Sequence, residues 1–493
     1  MKKVIIIGSG IAGLATAVRL KSKGYNVEVF EANSFTGGKI HSFNIGHYRF
    51  DAGPSLFTLP NLVDDLFLSC NENPRNYFNY KQKAIHCNYF WNDGKTISAF
   101  SDKKKYFNEV KNQLDIDPRP LEKYLIKSKI KFDLTKDIFL EKSLHKYKTY
   151  LSKNVLKAII SVPQLDLFKS LNEVNEDQLT DKYLVQLYNR YATYNGSNPY
   201  ETPGIMTLIQ HLESHYGTWI PEGGMINIAQ SITKLLIDQG VKIHLNSKVD
   251  EIMMDNHITN GVKVNGKKYN SDFIISNMDI YYTYNMLLKK YNLPNNLDNI
   301  ERSSSAIIFY WGVKKSFKQL DLHNIFFSSN YKNEFDAIFQ KGTVYKDPTI
   351  YVNITSKDVP QDAPPDSENW FVMVNSPSDS GQNWESIVGE LRKKIISKLN
   401  TMLNVNLDNL IEEEKIYTPK IIEETTFSFL GSLYGTSSNS KLSAFIRHPN
   451  FHKKVKNLYF CGGSVHPGGG IPLCLMSAKI VSDQFLDLKN EKN

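Results

Sequence analysis

The first forty residues constrain this chain more than any other stretch. Val4-Ile5-Ile6-Ile7 is a β-branched run that reads as a buried strand. Gly8-Ser9-Gly10-Ile11-Ala12-Gly13 follows, and the residues from Leu14 to Leu20 have helical character that stops at Gly24. Val27-Glu28-Val29-Phe30 reads as a second strand and delivers Glu31 at its end. In such a unit Gly8 permits a tight turn, Gly10 leaves the backbone open to a pyrophosphate, and Gly13 lets helix and strand pack closely. The N–H groups at the helix start, aided by the helix dipole, attract phosphate. Glu31 is placed to accept hydrogen bonds from a ribose diol and to repel a 2′-phosphate. The segment therefore predicts dinucleotide binding. Its lysines and apolar run superficially match a secretory leader, but glycines break the run and Arg19, Lys21 and Lys23 follow, so no signal peptide is expected.

With 493 residues the chain has room for two or three domains, or for one interleaved pair. A hydrophobic content of 41% is ordinary for a globular protein, and no apolar run approaches the length of a membrane span. Cys70, Cys87, Cys461 and Cys474 have no metal-ligand spacing, so free thiols in a reducing cytoplasm are expected, and no metal site. No Ser-His-Asp set or carboxylate pair stands out.

Further stretches carry chemistry. Gly37-Gly38-Lys39 gives a second glycine turn just beyond Glu31, which a simple nicotinamide-binding unit does not need. Tyr48-Arg49-Phe50-Asp51-Ala52-Gly53-Pro54-Ser55-Leu56-Phe57-Thr58 reads as a strand running into a Gly-Pro turn. After Trp219 the order is a helix from about Ile226 to Gln239, a strand around Ile243, then Val249 and a hairpin turning at Asn265-Gly266, and a strand leading to Asn277. Near the end, Leu458-Tyr459-Phe460-Cys461-Gly462-Gly463-Ser464-Val465-His466-Pro467-Gly468-Gly469-Gly470-Ile471-Pro472 repeats the pattern of strand, glycine turn and helix. That helix start offers another set of N–H groups.

With these motifs the chain resembles the flavoprotein superfamily of amine oxidases and carotenoid desaturases. The Asp51 and His466 segments resemble the bacterial phytoene-desaturase type in particular. Phe30-Glu31-Ala32-Asn33, with Tyr48 to Thr58, is most similar to the 1-hydroxycarotenoid 3,4-desaturase branch. Lys39 stands where that superfamily usually has arginine, which keeps the charge but loses a bidentate fork. The resemblance implies an α/β fold, α+β overall. A Rossmann-like FAD-binding domain is interleaved with a mixed-sheet substrate domain and a helical insertion. The FAD domain is expected over 1–70, 217–285 and 445–493, the substrate domain over 71–100 and 286–444, and the insertion over 101–216.

The same resemblance implies FAD as cofactor. Its binding residues would be Gly8, Ser9, Gly10, Ile11, Ala12, Gly13, Glu31 and Ala32 in the first unit, then Gly37, Gly38, Lys39, Gly53, Pro54 and Ser55. Val249 and Asn277 would join from the middle, and Gly462, Gly463, Gly470, Ile471 and Pro472 from the end. Expected proximity to the flavin makes Asp51, Arg190 and His466 the candidate catalytic residues. Each has a plainer alternative: a turn former, a core residue and a packed loop residue. The activity implied is removal of two hydrogens from adjacent carbons of a polyene, one leaving as hydride to the flavin. The substrate implied is a long hydrophobic carotenoid with a 1-hydroxylated end, and oxygen or a quinone would reoxidise the flavin. A phytoene-type desaturase, a carotenoid oxygenase and a non-catalytic lipid or prenyl carrier on the same fold are the alternatives. The intact glycines and Glu31 argue against the carrier.

Between Lys103 and Lys157 there are fifteen Lys/Arg and seven Asp/Glu, an excess equal to the formal +8 of the whole chain. Tyr124-Leu125-Ile126, Ile138-Phe139-Leu140 and Val155-Leu156 interleave with this charge. A basic amphipathic surface of this kind suits docking on an anionic membrane, with solvated helix faces as the plain alternative. Nucleic-acid binding is not expected, because no recognition motif accompanies the charge. The expected location is cytoplasmic, peripheral on the inner face of the cell membrane.

Overall fold

The computed structural model describes residues 2–139, 142–146, 149, 161, 164–291, 293–294, 297–440 and 447–487. Val155, Leu156, Lys148, Lys153 and Lys157 of the basic stretch lie outside the described residues, as does Leu140. The first sheet has five parallel strands in the order Leu458–Phe460, Phe273–Ser276, Lys3–Ile7, Asn26–Phe30, Lys242–His244. A parallel sheet is covered on both faces, which is why its first strand is apolar at nearly every position. Val4 and Ile6 face the helices Ile11–Ser22, Ile226–Asp238 and Ile471–Ser482. Ile5 and Ile7 face a three-stranded meander of Val249–Asp255, Ile258–Val264 and Lys267–Asn270. The turn at Asn265-Gly266 has φ of 49° and 78°, the paired positive values that a tight hairpin requires.

The second sheet has seven strands in the order Ile411–Tyr417, Ser305–Val313, Glu368–Ser376, Ile350–Ile354, His323–Phe326, Ile85–Phe90, Thr96–Phe100. Every pairing is antiparallel except that of His323–Phe326 with Ile85–Phe90. The helix Trp384–Leu403 covers its back through Leu391, Ile395 and Leu399, against Phe309, Trp311 and Val372. The hairpin of His41–Ile45 and Tyr48–Ala52 leans on the front. Phe43 and Phe50 meet Tyr310 edge-on, with ring centroids 4.9 and 5.5 Å apart. This hairpin, assigned from sequence to the nucleotide unit, thus packs on the other sheet. The stretch between Lys103 and Tyr216 contributes only helices among the described residues. The helix Lys182–Asn189, capped by Asp181, tightens into a 3-10 turn over Arg190–Asn195 and ends at Gly196 with φ 65°.

A half-buried cation, Arg49, locks these parts together. Arg49 pairs with Asp51 at 2.9 Å and with Asp362 at 3.1 Å. Asp51 also accepts from the backbone N–H groups of Met225 at 2.7 Å and Ile226 at 3.3 Å, at the start of the helix Ile226–Asp238. Asp362 is fully buried and accepts from Thr355 Oγ1 at 2.5 Å. Burial pushes its pKa up to about 6, against the pull of Thr355 and Arg49. The unfolded value is about 3.9. A carboxyl whose folded pKa is raised binds its proton more tightly when folded, so its contribution to stability falls as pH rises from one value to the other. Asp362→Asn removes that fall. The difference in unfolding free energy between variant and wild type should shift in the variant's favour by on the order of 2 kcal/mol between about pH 4 and about pH 7. Urea denaturation at stepped pH measures it, and a pH-independent difference would refute it.

Candidate active site

The two glycine turns predicted from sequence meet at one point. Gly37 N donates to Ser9 O at 2.9 Å, and a Cβ on Gly38 would lie 3.1 Å from Gly10 Cα. Asn277, just past the strand Phe273–Ser276, fills the space beside them. Its Oδ1 accepts from Gly13 N at 3.1 Å, and its Nδ2 donates to Cys461 O at 3.1 Å. A Cβ on Gly10, Gly13 or Gly462 would come within 2.7, 2.9 or 2.6 Å of that amide. Gly13 has the role expected of it, since its Cβ would also lie 2.2 Å from Gly8 O. Gly10 lines the cavity and has a further reason to lack a side chain, since one there would meet Asn277.

The helix Ile11–Ser22 starts at Gly10 and the helix Ile471–Ser482 at Gly470; neither glycine supplies a side-chain cap, although Asn277 takes the N–H of Gly13. Both starts line one cavity of about 560 Å³. A Cβ on Gly470 would meet no protein atom within 4 Å, so the backbone there is open to a ligand. Uncapped N–H groups beside bare glycine backbone fit the pyrophosphate of a dinucleotide. Glu31 Oε2 accepts from Ser9 N and Ser9 Oγ, each at 2.7 Å, and Oε1 accepts from Asn33 N at 2.9 Å. Those bonds fix the carboxylate on the cavity wall, where a ribose diol would be held. Ala32, Gly53, Pro54, Ser55, Val249, Gly463, Ile471 and Pro472 line the same cavity, whereas Ser9 and Gly13 stand behind it. Lys39 lines it too, but its Nζ donates to Leu433 O at 2.9 Å and Ser432 O at 3.4 Å. Burial lowers its pKa, opposed by Asp279 and Cys474. The lysine ties the second glycine turn to the chain near Leu433.

Asp51, Arg190 and His466 do not form a common group. Asp51 is a correction: it caps a helix and pairs with Arg49, and it is not part of the cavity wall. Burial raises its pKa, opposed by Arg49 and the two N–H donors. Arg190 does line the cavity. It donates to Tyr89 Oη at 2.7 Å and Tyr194 Oη at 3.0 Å and faces Glu213 at 3.9 Å. Glu213 accepts from Tyr191 at 2.7 Å and Tyr194 at 2.5 Å. Burial opposes its ionisation, yet Arg190, His86 and the two tyrosines hold its pKa below the ordinary carboxylate value. His466 is buried on the wall, with Nε2 2.9 Å from the Lys142 carbonyl. Burial pushes its pKa down to about 4. The ring is therefore neutral, its proton on Nε2 and its Nδ1 lone pair without a partner among the described residues.

Polar wall residues missed in the sequence include His86, Glu213, His323 and Tyr351. A signal existed for two of them. His86 and His323 are buried members of the strands Ile85–Phe90 and His323–Phe326, in company with Ile85, Cys87, Ile325 and Phe326. The rest of the far wall is largely apolar, built from Ile308, Ile325, Phe371 and Met373.

Residues 11–486 match the flavin containing amine oxidoreductases, and the chain belongs to that family. It is an FAD-dependent oxidoreductase, and the glycine cradle is the part of the fold that fits the cofactor. Over 483 residues the chain is 52% identical to the 1-hydroxycarotenoid 3,4-desaturase of Flavobacterium sp., spanning 98% of this chain and 99% of that protein. It is 30% identical over 491 residues to the 4,4'-diapolycopene oxygenase of Methylomonas sp., spanning 98% of each. An oxidoreductase from Methanosarcina mazei superposes with a TM-score of 0.63 at 17% identity, over 98% of this chain and 100% of that one. Putrescine oxidase bound to putrescine superposes at 0.64 with 14% identity, over 98% of each. At these identities the likeness is one of fold.

Gly10→Val drives a methyl group into the seat of Asn277. Overpacking of about 1–3 kcal/mol corresponds to roughly ten- to hundredfold weaker FAD binding. Flavin absorbance of the purified variant measures it, and wild-type flavin content would contradict the cradle.

Proposed function

We propose that this chain is an FAD-dependent carotenoid desaturase. It removes two hydrogens from adjacent carbons at a 1-hydroxylated acyclic or monocyclic carotene end, a 3,4-desaturation. The observation that carries this reading is the single cavity that joins the glycine cradle to the apolar face of the second sheet. The near full-length similarity to a 1-hydroxycarotenoid 3,4-desaturase supports the substrate class. FAD, when bound, supplies the hydride acceptor. The helix starts at Gly10 and Gly470 hold its pyrophosphate, and Glu31 holds its ribose. Ile308, Phe371 and Met373 exclude water and lie along the polyene. The neutral His466, and Arg190 balanced by Glu213, keep unpaired charge away from a hydrocarbon.

The test loads purified protein with FAD in liposomes and offers phytoene, lycopene and a 1-hydroxylated carotene, with oxygen or a quinone as acceptor. Loss of two hydrogens from the hydroxylated substrate alone is expected, read by chromatography with mass detection. Stepwise turnover of phytoene would replace this reading with an early desaturase. Addition of oxygen atoms would replace it with an oxygenase.

A second reading concerns where the substrate is collected. Among the described residues no helix is long and apolar enough to cross a membrane. Ile126 and Ile130 are 54% and 44% exposed on the helix Arg119–Phe139, beside Lys123, Lys127 and Lys129. Phe168 is 83% exposed, and its loop is tied to that helix by Lys131 and Asp166 at 2.6 Å. Exposed apolar side chains among lysines suit docking on the anionic cytoplasmic face of the cell membrane. Each inserted side chain contributes about 1.5–3 kcal/mol. The triple variant Ile126→Asp, Ile130→Asp, Phe168→Asp should sediment with anionic vesicles at least roughly tenfold less. Its turnover in detergent should be unchanged. Undiminished sedimentation would return the surface to a solvated one.

A further inference from the structure

The second sheet places a directed line of hydrogen bonds on the cavity wall. His323 is buried, with Nδ1 2.7 Å from Tyr351 Oη and 3.2 Å from Asn353 Nδ2. The same Asn353 nitrogen donates to Leu322 O at 2.9 Å. A carbonyl only accepts, so the nitrogen end of the amide is the one that faces Leu322 and His323. An amide nitrogen only donates, so Nδ1 of His323 accepts, and the proton of the neutral ring is on Nε2. Burial keeps the ring neutral by pushing its pKa down to about 4. Tyr351 Oη lies 2.8 Å from Ser55 Oγ. The line therefore runs from Ser55 through Tyr351 to His323, and it ends on an N–H. Among the described residues no protein atom accepts from that Nε2. Ser55, Tyr351 and His323 all line the cavity.

A plain hydrocarbon in this cavity leaves the donor buried and unpaired, which counts against the complex. A ligand oxygen satisfies it. We propose that His323, oriented by Tyr351 and Asn353, donates from Nε2 to the alcohol oxygen of the substrate and so selects hydroxylated carotenes. This rests on the reading of the chain as a desaturase of 1-hydroxylated ends. The location fits that chemistry. At such an end the alcohol carbon is separated from the nearer reacting carbon by a single carbon, so a receptor for the oxygen must adjoin the reacting bond. The hydrogen-bonded line begins at Ser55, two residues past Gly53, whose added Cβ would lie 2.1 Å from Lys39 O at the second glycine turn. An anchor here also stops the polyene from sliding, so one pair of carbons is presented.

The test uses FAD-loaded His323→Leu, His323→Gln and His323→Asn with a 1-hydroxylated carotene and its matching hydrocarbon. Glutamine carries an amide nitrogen about where Nε2 lies, and asparagine one about where Nδ1 lies. His323→Leu should lower kcat/KM on the alcohol by about ten- to hundredfold and leave the hydrocarbon unchanged or improved. His323→Gln should restore most of the preference, and His323→Asn should not. Quenching of flavin fluorescence by each carotenoid gives the affinities independently of turnover, and the same pattern is expected. A parallel loss on both substrates, or an undiminished preference in His323→Leu, would overturn the proposal. Should His323→Leu lose its flavin, Tyr351→Phe carries the test, since it removes the orienting hydroxyl and should also narrow the preference. A wild type that favours the hydrocarbon would overturn the substrate reading itself and the receptor with it. A wild type that favours the alcohol while every variant does so equally would overturn the receptor alone.

Discussion

The side-chain amide of Asn277 holds the two ends of this chain in register. It accepts from Gly13 at the start of the first helix and donates to Cys461 after the last strand. Gly10, Gly13 and Gly462 lack side chains around it, and each would otherwise occupy its place. Without the amide, the Gly13 N–H and the Cys461 carbonyl lose their partner, and an unsatisfied buried group costs about 1–3 kcal/mol. The second glycine turn is built on this junction, because Gly37 bonds to Ser9 and Gly38 lies against Gly10. The cofactor cradle is thus a surface that three separate parts of the sequence make by closing on one carboxamide.

The cavity also depends on how the two sheets are fastened. Arg49 joins the hairpin to a helix start through Asp51 and to the second sheet's side through Asp362. Asn369 on that sheet donates to the Arg49 carbonyl at 2.7 Å. Phe43 and Phe50 supply the apolar part of the same contact. Polar fastening fixes distance and angle more sharply than apolar packing does, because hydrogen bonds are directional. A reaction that must bring one C–H bond to a fixed acceptor needs that precision.

Much of the cradle was legible in the sequence, because turns state their requirements locally. Gly8, Gly37 and Gly470 have φ of 91°, 112° and 102°, values that a residue with a side chain rarely adopts. The strands of the parallel sheet were legible as short β-branched runs. What failed did so because the deciding partner was remote. Asp51 looked like a residue near the chemistry, but its partners Met225 and Ile226 lie 174 and 175 positions away and make it a cap. Lys39 lines the cavity, and its bonds to Ser432 and Leu433 were equally remote in sequence. Glu213 and Tyr351 gave no signal because they come from distant segments, the helix Ile209–Tyr216 and the strand Ile350–Ile354. No spacing rule connects them before the sheet is formed.

The strand Leu458–Phe460 pairs with Phe273–Ser276, which pairs with Lys3–Ile7. The sheet that holds Lys3–Ile7 is therefore finished only when Leu458–Phe460 is in place. During synthesis the amino-terminal turn and its bare helix start emerge long before their closing partners, and pairing over such separations is slow. Flavin capture then waits on the strand Leu458–Phe460. A chain halted anywhere before Leu458 has half a cradle, stays colourless, and keeps apolar strand edges open to chaperones and proteases. The cofactor in effect certifies that the strand Leu458–Phe460 has taken its place.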